Sequence, residues 1–320
     1  EPHDPALAAR RLQQACEDDP GAAAAPAQLA QLAARLGRHA EAERAAERAL
    51  AAAESGAELA PEPRREAALA GAQAARQLGH LETAARLFGR VLALEPEHTL
   101  ALAARGEVLF ALGDRRAARE DLERRLGLAP PDPEAARHLA LVAEVWSEEG
   151  RVEPALEKLQ AALEREPALE AAHQLRTRLL EREGRTEEAV DALQAWAART
   201  PDAGRRAAHL LRAAELELSS PGREEPAEAL LREALAVSPE CGEARVLLAG
   251  LLLSGDRVAE ARHEAEQAIA HAQGRTLARA HAVRGRAFER EGARAQAAEA
   301  WQAATRADPL LAEAAFHAAR

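Results

Sequence analysis

Residues 150–167 read GRVEPALEKLQAALEREP. Ala155, Leu159 and Ala162 recur there at spacings of four and three, which sets them on one face of a helix. Their small–large–small order predicts a face that a second helix can approach closely. Pro167 stops this helix, and Gly150 ends the one before it. The same template recurs along the chain. Positions equivalent to Gly150 are Gly37, Gly79, Gly113, Gly184, Gly222, Asp256 and Gly292, and successive hinges are 42, 34, 37, 34, 38, 34 and 36 residues apart. Five residues after each hinge stands an alanine: Ala42, Ala84, Ala118, Ala155, Ala189, Ala227, Ala261 and Ala297. Seventeen residues after six of them stands a proline: Pro96, Pro130, Pro167, Pro201, Pro239 and Pro309. Asp256 replaces glycine, and aspartate is tolerated in turn conformations.

A second helix precedes each hinge. Before Gly150 it reads AARHLALVAEVWSEE, with Leu139, Ala143 and Trp146 on one face. The matching residues are Arg245, Ala249 and Leu252 before Asp256, and His281, Gly285 and Phe288 before Gly292. Two helices of this size cannot bury their apolar faces alone, whereas stacked neighbours can.

On the 34-residue period, the small–large–small second helix and the closing proline, the chain resembles the tetratricopeptide repeat family. The resemblance implies an all-α fold, a right-handed superhelical solenoid of antiparallel helix pairs. It divides the chain into the second helix of an incomplete repeat (1–20), eight tandem repeats (21–309) and the first helix of a truncated repeat (310–320). The sequence departs from the family pattern four residues before the hinges. Only Trp146 and Phe288 are aromatic there. Leu109, Leu180, Leu218 and Leu252 stand elsewhere, and Ala33 and Ala75 predict thinner packing in the first two repeats. The extra residues around 53–63, 130–134 and 219–226 carry turn formers and read as longer rim loops.

Composition narrows the function. The 320 residues carry a net charge of −11, with acids spread along the chain, which argues against nucleic acid as the partner. The near-absence of residues with AT-rich codons points to a GC-rich bacterial genome. No run of 18 apolar residues occurs, so direct membrane insertion is not expected. The cytoplasm is favoured, with a periplasmic or envelope-tethered location as the alternative. A start at Glu1, and ends that lack polar capping helices, read as a piece excised from a longer array, or as ends that are covered or self-associate end to end.

No catalytic constellation is expected: there is no phosphate loop and no nucleophile elbow. No metal site or cofactor is expected either. The run His263–Gln267 lacks the second histidine of a zinc-protease motif, and Cys16 and Cys241 stand far apart without a ligand pattern. Trp146, Trp196 and Trp301 are expected in the core. By the resemblance, a partner protein, as a peptide or small domain, lies in the groove lined by the first helices. The groove residues are then Leu100, Glu107, Phe110, Arg137, Glu144, Arg178, Arg182, Arg279, Arg286 and Arg290, with Val246 and Leu253 in the seventh repeat. Arginine and aromatic residues are frequent interface anchors. The Lys/Asn carboxylate clamp of chaperone co-factors is missing, because the chain has no Asn and its one lysine, Lys158, lies on a second helix. The expected role is a protein–protein interaction scaffold or adaptor. The alternatives are a cell-envelope assembly or secretion factor, and a regulatory or recruiting module of a larger enzyme.

Overall fold

The computed structural model describes residues 4–128, 133–311 and 317. Among them are seventeen α-helices and no strand. They fall into two compact units, Glu1–Glu166 and Pro167–Arg320. The N-terminal unit holds α1 (Pro5–Asp18), α2 (Ala24–Arg35), α3 (His39–Glu54), α4 (Pro61–Leu78), α5 (Leu81–Leu94), α6 (Thr99–Leu112), α7 (Arg115–Leu128), α8 (Pro133–Glu148) and α9 (Val152–Arg165). The C-terminal unit holds α10 (Glu170–Arg182), α11 (Thr186–Arg199), α12 (Ala203–Leu218), α13 (Glu224–Val237), α14 (Gly242–Ser254), α15 (Val258–His271), α16 (Gly274–Glu291) and α17 (Arg294–Ala307).

All eight hinge residues have left-handed backbones. The seven glycines have φ of 70–88°, and Asp256 has φ 61°, alone among the described non-glycine residues. At seven hinges the following N–H donates to the carbonyl five residues back, as in Arg151 to Trp146 (2.8 Å) and Arg257 to Leu252 (2.9 Å). This is the Schellman bond, which satisfies a carbonyl that a helix end leaves open. The position four before the hinge therefore supplies a backbone acceptor as well as a side chain. All eight alanines five residues on are buried. Pro96, Pro167, Pro201, Pro239 and Pro309 each stand two residues past a helix end, while Pro130 lies outside the described residues.

Packing in the first two repeats is close, not thin. A methyl group added to Gly71 of α4 would come 2.3 Å from the Cβ of Ala46 in α3. Small residues here let the backbones approach, and Ala33 and Ala75 are fully buried. The extra residues also form less loop than their composition predicts. Helix α3 continues through Glu54 and α4 starts at Pro61, a proline preset for a first helical turn, so only residues 55–60 connect them. In 219–226, residues from Glu224 onward join α13. The remaining turn is tied down by Arg223, whose guanidinium forks onto the buried carboxylate of Glu217 at 2.6 and 2.9 Å. Of 130–134, Pro133 and Glu134 open α8, and residues 129–132 lie outside the described residues. So do most of the residues beyond Leu311 on which the truncated final repeat was read.

Of the three tryptophans, only Trp301 is buried; Trp146 and Trp196 are half-buried. Trp146 lies between the guanidinium groups of Arg119 and Arg151, 4.0 and 3.9 Å from its ring centroid. Trp196 lies between the rings of His173 and His209, at 5.8 and 3.9 Å. Each indole thus stacks against polar planar groups, and Trp196 also packs against the apolar cluster of its unit.

A further feature leaves no mark on the hydrophobic pattern. Arginine–acid pairs join residues about one repeat apart: Arg119–Glu149 (2.6 Å), Arg212–Glu181 (2.9 Å), Arg257–Glu228 (2.7 Å), Arg262–Glu291 (3.2 Å), and also Arg86–Glu47 and Arg90–Glu54. Most of these pairs are at least partly exposed and individually weak, while the Arg119 side chain of the first is largely covered. As a series they link one repeat to the next.

Candidate partner-binding cleft

In the N-terminal unit the expected groove residues have unequal surroundings. Leu100 on α6 is 61% exposed, an open apolar side chain. Phe110, ten residues further along the same helix, is half-buried, and the Arg115 guanidinium covers its ring at 3.7 Å. Glu107 accepts from Arg76 at 2.9 Å and pairs with Nε2 of the buried His138 at 3.0 Å. The hydrogen bond from His138 holds the Glu107 carboxyl below its ordinary range, against the opposing effect of burial. Glu107 thus joins three successive first helices, α4, α6 and α8. Arg137 is exposed and Glu144 half-buried.

In the C-terminal unit Arg178 is exposed, and Arg182 is exposed and pairs with Glu183 at 3.1 Å. Arg290 pairs with Asp256 at 2.9 Å, which ties the hinge of one repeat to the end of the next first helix. Leu253 is buried in the large apolar cluster of this unit. Its side chain packs inward, so the apolar surface expected there is supplied by its neighbours instead.

Arg279 and Arg286 come together with Val246 in one cleft of about 740 Å³. Helices α14 and α16, the first helices of successive repeats, pack side by side and form its two walls. Val246, Leu247 and Leu251 of α14 and Val283 of α16 give it an apolar floor, with Leu218 and Leu311 at its margins. Arg275, Arg279 and Arg286 stand on the α16 side at i, i+4 and i+11, and so share a face. Glu243 is the acidic member of the lining.

The sequence reading named Val246, Arg279 and Arg286 of this lining, because first helices repeat their outward positions at fixed distances from the hinge. It missed Arg275, which stands in an extra N-terminal turn of α16. It also missed Leu247 and Leu251, which the hydrophobic pattern assigns to the core and which are half-exposed.

Gly250, in the interior of α14, also lines the cleft. A methyl group added there would meet nothing within 4 Å. Gly71, Gly106 and Gly285 differ: an added methyl would come 2.3 Å from Ala46, 2.7 Å from Leu122 and 2.9 Å from Trp301 respectively. Packing requires those glycines, but it does not require Gly250.

The tetratricopeptide repeat profile matches residues 69–133 and 222–287, and the second match contains α14 and most of α16. The chain is a tetratricopeptide repeat protein. The C-terminal part of a tetratricopeptide repeat protein from Cytophaga hutchinsonii is similar in structure, with a TM-score of 0.58 at 14% identity over 77% of this chain and 97% of that one. That likeness is one of fold. PilF of Pseudomonas aeruginosa (TM-score 0.43, 20% identity, 69% of this chain and 97% of that one) overlaps less well. So does YrrB, a tetratricopeptide repeat protein with an unusual peptide-binding site (TM-score 0.43, 19% identity, 56% and 88%). No curated protein matches the chain. Tetratricopeptide repeats make protein-interaction modules, and in that general sense this chain is one. No helix among the described residues is long and apolar enough to cross a membrane.

Proposed function

We propose that this tetratricopeptide array is a non-catalytic scaffold or adaptor that holds a segment of a partner protein against its first helices. The observation that carries the reading is the cleft between α14 and α16, where half-exposed leucines and exposed arginines line about 740 Å³ of open space. Apolar floors ringed by a few polar groups are the usual form of a recognition site. Leu100 is the corresponding open apolar contact in the N-terminal unit. The eight left-handed hinges support a division into eight full repeats over 21–309.

The test uses Gly250→Trp. The new side chain has room at its Cβ and replaces a poor helix former, so helical circular dichroism and the melting temperature stay at or slightly above wild type. Partner recovery in affinity capture falls at least about tenfold, the loss expected when a central contact is blocked. Equal recovery by both proteins removes the cleft as the site.

A further inference from the structure

We infer that the occupant of the α14–α16 cleft is an acidic protein segment carrying leucine-sized side chains, laid close along α14 across Gly250. This rests on the reading of the cleft as the partner site.

Among the described residues, Arg275 and Arg279 outnumber the one glutamate of the lining, Glu243, in a chain of net charge −11. The stripe Arg275, Arg279 and Arg286 runs along about 16 Å of helix at 1.5 Å per residue. Elsewhere in this unit Arg212, Arg257 and Arg262 are held by acids of neighbouring repeats. Arg275 and Arg279 make no ion pair among the described residues. A guanidinium can fork onto a carboxylate, so these two hold unspent bidentate donors over an apolar floor. The chemistry that satisfies both at once is a carboxylate within reach of each arginine and an aliphatic side chain between Leu247 and Leu251.

Gly250 adds an independent point. A glycine inside a helix is less stable than an alanine there, and no neighbour among the described residues needs the space. Close approach of another backbone uses that space. The apolar floor favours a protein segment over nucleic acid, whose recognition would need basic contacts along a phosphate backbone and aromatic stacking platforms. No aromatic residue stands in the lining among the described residues.

A displayed random peptide library panned on the full chain tests this. Recovered peptides are expected to be rich in Asp and Glu with interspersed Leu. Their affinity should drop at least about tenfold in Arg275→Glu/Arg279→Glu, a reversal of exposed charge that leaves helical circular dichroism unchanged. It should also fall several-fold between about 0.05 and 0.3 M salt, as screening shortens the reach of the arginines. Gly250→Trp should abolish binding. Neutral or basic peptides that Gly250→Trp still blocks would overturn the acidic specificity and leave the cleft in place. Acidic peptides indifferent to Gly250→Trp would overturn the cleft itself. A single-stranded oligonucleotide that displaces the peptides at equal concentration would assign the arginines to nucleic acid instead.

Discussion

Trp146 in the N-terminal unit and Trp196 in the C-terminal unit are both half-buried, and both lie flat between two nitrogen-bearing side chains. For Trp146 these are the arginines Arg119 and Arg151, charged at every ordinary pH. For Trp196 they are histidines, and burial pushes both His173 and His209 below their ordinary value of 6.5. The Pro167 carbonyl partly opposes this for His173. For His209, Arg205 adds to it and Glu170 opposes it. Farther along the same unit, His281 is pushed down to about 4, by burial first and then by Arg284 and Arg306. The contrasting histidine of the N-terminal unit, His138, has a carboxylate partner in Glu107. Two units built on one repeat therefore differ in how they meet acid. The side chains that carry the difference are ones the repeat consensus does not specify.

The largest effect that sharpens the contrast concerns the indoles themselves. Trp301 is buried over Gly285, and its Nε1 donates to Glu289 at 2.9 Å. Trp301→Ala should cost about 3–5 kcal/mol, the usual range for a buried aromatic. Trp146→Ala, which removes a half-exposed ring between two guanidinium groups, should cost clearly less. Chemical denaturation of both variants measures the two values, and equal losses would remove the distinction.

Acid gives the next effect. A histidine whose folded value lies below 6.5 stays neutral in the fold while the unfolded chain takes up a proton. Its contribution is complete above pH 6.5 and is lost as the pH falls towards about 4, the value of His281. His209 and His281 are half-buried, so screening by solvent reduces their contributions, whereas His173 is buried. Glu107 acts in the same direction but in a lower window. Its folded value is depressed from 4.5, so its contribution persists until the pH falls below that value. At pH 5–6, amide exchange relative to the intrinsic rate of the unstructured peptide should therefore accelerate in Pro167–Arg320 before it does in Glu1–Glu166. His281→Leu should reduce that acceleration. Simultaneous acceleration of both units would break the comparison.

The frame of the fold was legible because it is carried by strict local rules. A left-handed residue needs glycine or a tolerant substitute, and the spacing of hinge, alanine and proline located all eight, Asp256 included. What stayed hidden depends on the facing chain. Whether Trp196 meets leucine or histidine, whether Leu253 or Leu251 points outward, and which acid Arg262 finds are settled by a neighbour about one repeat away. The 53–63 segment misled for a different reason. Its Pro61 is as good a helix opener as it is a turn former, and the helix won.

The smallest effect sits at a hinge. Asp256→Gly relieves a left-handed aspartate but gives up the exposed pair with Arg290 and loosens the unfolded chain. Stability should change by less than about 0.5 kcal/mol. A loss above 1 kcal/mol would show that the Asp256–Arg290 pair holds the two repeats together more strongly than an exposed ion pair can.

The arginine–acid pairs have a mechanical consequence. Each joins one repeat to its immediate neighbour, so a chain drawn out by its two ends yields one repeat at a time. The force trace is then a sawtooth, in which each tooth releases one repeat of 34–42 residues, about 110–150 Å of extended backbone. Added salt weakens every link of this series together, so it lowers the height of the teeth while leaving their spacing unchanged.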